Sequence, residues 1–359
     1  MHGILKVMKG FINGIKVAGQ KALPSLGVQL REDWSSRVLI QSPVASQRAF
    51  RIRVLLIAGL GVAAAVAVFF LPPIAQDPAY HNFADQREIW GVPNLFNVIS
   101  NAPYVLVGAL GLLFLLRDGA TETPGPFLDS RQRTPFLVLF AGIFLTGFGS
   151  AYYHLAPSNA TLFWDRLPMT MVFMSLFAIV IAERISIRAG HWLLLPLLAA
   201  GIGSIVYSQI RELKVGGDLR FYLLVQFFPL LAIPLMLLFF PPKYTRSSGL
   251  FWMVGLYALA KIFERFDTQL FAQGGFVSGH TIKHLLSAMA IYSILRMLRS
   301  RRLVESPVDL KSVRNHDESR DYPGLLPRTP AYRARNDLTG TATHVPRRCQ
   351  VCFRSDSAG

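Results

Sequence analysis

Residues 278–298 read SGHTIKHLLSAMAIYSILRML. From Ile282 to Leu298 the segment is apolar and approaches the roughly 20 residues that a helix needs to cross a bilayer. Yet it opens on His280 and His284. Residues four apart lie on one face of a helix, one turn from each other. Ionisable groups at membrane depth are costly, so their presence marks a functional site by default. An i, i+4 histidine pair can offer two imidazole nitrogens to one metal ion, most often zinc. Two ligands do not complete a zinc site, and the rest of the chain must supply the others.

The chain around this segment is built for a membrane. It has 359 residues, of which 52% are hydrophobic and only 16% charged, a charge fraction low for a soluble protein. Its apolar residues come in eight runs: Val54–Leu71, Leu95–Leu116, Phe136–Tyr153, Trp164–Ala182, Trp192–Ser208, Phe221–Phe240, Leu250–Phe266 and Ile282–Leu298. Each is expected to be a helix, because a span in lipid must satisfy its own backbone. Pro103, Pro168, Pro196, Pro229 and Pro234 are expected to kink them. The fold class is all-α, a polytopic transmembrane helix bundle.

Charge sets the orientation. The net charge is +16, and it sits mostly in the two tails. Residues 1–53 hold nine Lys/Arg against Glu32 and Asp33, and residues 296–359 hold thirteen against seven acids. Basic tails suit nucleic acid or anionic lipid, and beside eight apolar runs the positive-inside rule explains them better. Nucleic acid is therefore not an expected partner. With the N-terminus inside, the inner loops hold Arg117, Arg131 and Arg133, then Arg184 and Arg188, then Lys243 and Arg246. The outer loops hold few, except Arg211, Lys214 and Arg220 in the third. Both termini are thus expected in the cytoplasm. Met1 to Lys21 has a weak amphipathic pattern but no signal-peptide cleavage site. Cys349 and Cys352 form a lone C-x-x-C in a polar tail, for which an inert role is the expectation. The tail beyond residue 300 shows no apolar period and is expected to be disordered.

This topology brings scarce polar residues to one depth. Span three ends on Ser150-Ala151-Tyr152-Tyr153-His154, with Ser150 and His154 on one face. Asp165 opens span four, and Asn94, Asn97, Ser100 and Asn101 open span two. All fall at the same outer end as His280 and His284. Three histidines, His154, His280 and His284, would leave a fourth zinc position to water, the pattern of a catalytic rather than a structural site. Zinc lowers the pKa of such a water to about 7. Asp165 could then act as base, and Ser150 could steady an oxyanion. Each histidine alone reads as an interfacial residue, Asp165–Arg166 as an ion pair, and Glu264, Arg265 and Asp267 as structural ion pairing. Lys283 is expected on another face of its helix, towards lipid headgroups. His81 and His191 are expected to be ordinary interface residues.

The combination Asn97-Val98-Ile99-Ser100-Asn101, Ser150-x-x-x-His154, Asp165 and Ser278-Gly279-His280-Thr281-Ile282-Lys283-His284 resembles the alkaline ceramidase family. These are seven-span membrane zinc hydrolases related to the progestin and adipoQ receptors. The likeness runs over about residues 80–300, which makes that stretch the expected catalytic core. Residues 1–53 are then a basic tail, 54–72 an extra span in front of the core, and 301–359 a second basic tail. The resemblance implies zinc on His154, His280 and His284, with Ser150 and Asp165 catalytic. It implies hydrolysis of the amide of ceramide or a related N-acyl lipid to a fatty acid and a long-chain base. It also implies calcium before the first core span, where Asp85, Glu88 and Asn94 are the matching oxygen ligands, in a thin acidic cluster that contains Arg87.

The expected function is therefore a zinc-dependent amidohydrolase, with a membrane lipid and the bilayer as partners and no obligate protein partner. Its site faces the outer side, periplasmic in a bacterial inner membrane or lumenal in the ER or Golgi. Two other readings stay open: a receptor-like or lipid-sensing protein with a structural zinc, and a polytopic transporter.

Overall fold

The computed structural model describes residues 43–118 and 126–302. The expectations for the amphipathic N-terminal stretch, for Cys349 and Cys352 and for the C-terminal tail lie outside these residues. Among the described residues the chain is a helical bundle without strands. In order the helices are α1 (Pro43–Phe70), α2 (Leu95–Ile99), α3 (Ala102–Asp118), α4 (Arg133–Leu155), α5 (Asn159–Arg184), α6 (Ile187–Val215), α7 (Arg220–Phe239), α8 (Ser248–Arg265), α9 (Asp267–Gly274) and α10 (Gly279–Ser300).

Helix occupies all eight expected spans. Among the described residues, six stretches are long and apolar enough to cross a membrane: Ser46–Phe70, Leu95–Arg117, Ser130–Leu155, Asn159–Arg184, Ile187–Val215 and Arg220–Phe239. The last two expected spans, α8 and α10, fall short of that standard. The reason is composition: α8 carries Lys261, Glu264 and Arg265, and α10 carries Lys283, Arg296 and Arg299. Glu264 of α8 pairs with Lys261 one turn back on its own helix and with Lys283 across on α10, so part of that charge is satisfied inside the bundle rather than offered to lipid.

One expectation about proline needs correction. Span two is not one kinked helix. It breaks at Ser100–Asn101, and Pro103 sits in the first turn of α3, where a missing N–H leaves no bond unmade. The other four prolines do lie inside helices.

The core runs through the bundle between α3, α4, α5, α7, α8 and α10, with Phe140, Val180, Met236 and Leu295 fully buried or nearly so. α5 is the most enclosed span. It starts on a reciprocal cap: Ser158 Oγ accepts from the Thr161 amide at 3.2 Å, and the Ser158 amide donates to Thr161 Oγ1 at 3.1 Å. In contrast α1 packs chiefly on α7 and exposes Leu55, Leu56, Val62 and Phe69, as a peripheral span in lipid would. At the end of the bundle away from the histidines, Arg301 pairs with buried Glu183, and Tyr244 donates to Gln132 at 2.6 Å.

Candidate metal centre and its cavity

His154 ends α4, while His280 and His284 fill the first turns of α10. Ser278 caps α10, accepting from the Thr281 amide at 3.1 Å, and Asp267 takes the His280 amide at 2.7 Å. The helix therefore begins three residues before the apolar run does, and both histidines are helical. A Cβ on Gly279 would collide with the Phe263 carbonyl, so glycine is what lets this turn seat against α8. All three imidazoles are buried, and one ring nitrogen from each lies within 4.8 Å of the others.

The donor set fits zinc. Two nitrogens bound tetrahedrally at about 2.0–2.1 Å from one zinc are about 3.3 Å apart. His154 Nε2 and His280 Nε2 are 3.3 Å apart. The tautomer of His284 follows from its surroundings. Ser100 Oγ donates to the Asn97 carbonyl at 3.0 Å and lies 2.7 Å from His284 Nδ1. Nδ1–H must then donate to Ser100, which leaves the Nε2 lone pair for a metal. His154 Nδ1 is buried without a partner. Phe83 closes the site, its ring centroid 4.6 Å from that of His154 and 4.7 Å from that of His280.

The asparagines at the start of span two serve as a brace. Asn94 donates to the His154 carbonyl at 2.9 Å. Asn97 Oδ1 accepts from Thr281 at 3.0 Å, and its amide reaches the Asp85 carbonyl at 3.2 Å. α2 is thus tied to both histidine-bearing helices.

Ser150 and Asp165 come together through backbone contact. Pro168 lacks the amide that would bond the Trp164 carbonyl one turn back. That free carbonyl faces Gly149 of α4, where a Cβ would collide with it. The next residues on each helix, Ser150 and Asp165, therefore lie side by side. Both line a cavity of 350 Å³ together with His284 and Lys283. From there the cavity runs between α4, α5, α7, α8 and α10 along Ile143, Val172, Leu176, Ile233, Met253 and Ile291. Its walls are mainly apolar beyond the histidine end, with Thr146, Gln226 and Tyr257 as polar exceptions. This is the common form of a small-molecule site, and its volume falls in the usual range.

Several sequence expectations change here. Lys283 does not point to lipid. Its Nζ lies 3.0 Å from His280 Nε2 and donates to Glu264 at 3.1 Å. Residues three apart on a helix are neighbours almost as much as those four apart, so Lys283 and His280 share one side of α10. Glu264 is structural as expected, held by Lys261 and Lys283, while Asp267 instead takes backbone amides from His280 and Ala84. Arg166 makes no ion pair with Asp165; its guanidinium lies over the Tyr80 and Tyr222 rings. His81 is bonded on both ring nitrogens, to Tyr153 at 2.9 Å and Asn159 at 2.8 Å.

The oxygen ligands expected for calcium are engaged separately. Arg87 occupies both carboxylate oxygens of Asp85, at 2.8 and 2.7 Å. Glu88 is exposed, and Asn94 has only its Oδ1 unpartnered. Among the described residues, the one cluster of three or more His, Cys, Asp or Glu side chains is that of the three histidines.

The family model described as Ceramidase matches residues 91–238. Over this segment, less than half of the chain, the sequence is similar to the ceramidase family. The segment spans α2 to α7 and contains Ser150, His154 and Asp165. The ceramidase match ends before α8, so His280 and His284 join the site through the fold and not through the matched segment. No curated protein matches the chain.

Proposed function

We propose that the protein is an integral membrane amidohydrolase that cleaves the amide of ceramide or a related N-acyl lipid. Support comes chiefly from one arrangement: three buried histidines meet Ser150 and Asp165 at the polar end of a mainly apolar cavity inside the bundle. A zinc ion on His154, His280 and His284 would polarise the amide carbonyl and lower the pKa of a water to about 7.

The chain's own groups would do the rest. Asp165 would take the proton of the attacking water and pass it to the leaving amine. The Ser150 hydroxyl would donate to the carbonyl oxygen as it gains charge. The Lys283 ammonium, held by Glu264 and beside His280, would add positive charge near the same oxygen. One alkyl chain of the substrate would lie along Val172, Leu176 and Ile291. Ser100 would hold His284 in the ligating tautomer. Calcium has no part in this reading, because Arg87 already neutralises Asp85.

The charge distribution supports both termini in the cytoplasm and the site at the outer face. A structural zinc alone would need neither Ser150 nor Asp165 beside it, and a transport path would need polar groups along the length of the cavity.

The test is release of a fluorescent fatty acid from short-chain ceramide by purified protein. Chelation is expected to abolish release, and zinc without calcium to restore it. His280→Ala and Asp165→Ala are expected to lose at least about 10²-fold in kcat. Full activity in either variant sinks the mechanism.

A further inference from the structure

The cavity wall holds a cation for which amide cleavage has no use. Arg166 follows Asp165 on α5 and is 8% exposed. Its guanidinium lies 5.3 Å from the Tyr80 ring centroid and 4.9 Å from that of Tyr222. Among the described residues, that guanidinium makes neither an ion pair nor a hydrogen bond. Glu212 lines a small cavity that Arg166 shares, but its carboxylate is turned to the Asn159 amide at 2.6 Å and makes no ion pair with the guanidinium. A buried guanidinium without a counter-charge is costly, and two tyrosine faces offset only part of that cost.

The neighbours do not supply the missing charge. Lys261 and Lys283 share the single carboxylate of Glu264. The cavity lining thus sets three cations, Arg166, Lys261 and Lys283, against two carboxylates, Asp165 and Glu264. One positive charge is left over, and it lies at the end of the cavity where an amide would be cut.

We propose that the substrate is an N-acyl lipid whose amine half carries an anionic group, a carboxylate or a phosphate, and that Arg166 binds it. The proposal rests on the amidohydrolase reading of this site. A guanidinium presents a planar fork that matches either anion with two parallel hydrogen bonds. The two tyrosine rings hold that plane in place. Because Arg166 is the residue after the proposed base, the anion belongs a few bonds from the amide nitrogen, as in an N-acyl amino acid or a phosphorylated N-acyl amino alcohol. A neutral diol head would leave the guanidinium unmatched.

The experiment compares three substrates that share one fluorescent acyl chain: ceramide, ceramide 1-phosphate and an N-acyl amino acid. Wild-type protein is expected to show kcat/KM about 10- to 100-fold higher for an anionic substrate than for the neutral one, the range set by hydrogen bonds to charged groups. The carboxylate and phosphate arms tell which anion is preferred. In Arg166→Gln the anionic-to-neutral ratio is expected to fall towards one, and Arg166→Lys is expected to restore part of it. Equal cleavage of all three by wild type, or an unchanged ratio in Arg166→Gln, overturns the proposal. Should Arg166→Gln fail to fold, the wild-type ratio and Arg166→Lys still decide.

If no substrate is cleaved, the amidohydrolase reading fails on its own. The anion site is then read by displacement of a fluorescent fatty acid, with dodecanoate set against its methyl ester. A carboxylate preference present in wild type and lost in Arg166→Gln supports the site, and no preference in wild type removes it.

Discussion

Ser100 shows how much of the candidate metal centre is decided one bond away from it. Its hydroxyl donates to the Asn97 carbonyl and so can only accept from His284 Nδ1. Outer partners of this kind tune metal affinity by about 10- to 100-fold. Ser100→Ala is therefore expected to weaken zinc binding by that factor, measured by competition with a chromophoric chelator, while helix content by circular dichroism stays unchanged. An unaltered affinity would mean that His284 ligates through its other nitrogen. His154 contrasts with it: its Nδ1 is buried and unpartnered, and its hold comes from Asn94 on its carbonyl and from Phe83 against its ring. The histidines, Ser150 and Asp165 were legible in the chain because membrane spans hold few polar residues. The second layer was not. Phe83 and Tyr80 come from a loop without periodicity, and the inward turn of Lys283 depends on Glu264, 19 residues earlier on another helix.

Among the elements, the α4–α5 contact carries the geometry of the two proposed catalytic side chains. Pro168 frees the Trp164 carbonyl, and Gly149 leaves room for it. Gly149→Ala must push the two backbones apart, and overpacking of this kind costs about 1–3 kcal/mol. Gly203 of α6 is a control, since a Cβ there meets nothing within 4 Å. The expected outcome is a lower thermal midpoint and lower activity for Gly149→Ala, and neither for Gly203→Ala. Equal behaviour of the two variants would show that the close approach is not needed. The weakest spans by composition, α8 and α10, are those that bring charge to the site. Their departure from a plain apolar run is itself a mark of function, because such groups are tolerated only where they are paired or face a cavity.

For the molecule as a whole, Asp218 is the joint between the peripheral span and the rest of the bundle. It is fully buried and accepts from Tyr207 of α6 at 3.0 Å and from the Ile74 amide, which follows α1, at 3.4 Å. It also pairs with Arg220 at 2.8 Å. Burial alone would raise its pKa, but the Arg220 guanidinium and amide and the Tyr207 hydroxyl outweigh that and hold it down at about 2. A carboxylate lowered on folding stabilises the fold above its unfolded value near 3.9, and loses that contribution as pH falls towards 2. Asp218→Asn leaves Arg220 without its charged partner and is expected to lower the thermal midpoint. The gap in thermal midpoint between wild type and Asp218→Asn should be constant from pH 5 to 8 and should close between about pH 4 and 2. A gap that persists at pH 2 would place the effect in packing rather than charge.

Eight apolar runs, the proline positions and a handful of polar residues at span ends determined a helical membrane bundle and named the three histidines, Ser150 and Asp165. That information is local: hydropathy follows from the solvent, and i, i+4 spacing from the helix repeat. The break at Ser100–Asn101, the pairing of Lys283 with Glu264 and the separation of Arg166 from Asp165 were decided only by tertiary structure. Each depends on which helix lies opposite, and a side chain's partner across a bundle leaves no trace in its own neighbours along the chain. The cavity is the clearest case. No single run of residues encodes it, because it is the space that α4, α5, α7, α8 and α10 leave between them once Gly149 and Gly279 have set how closely they approach.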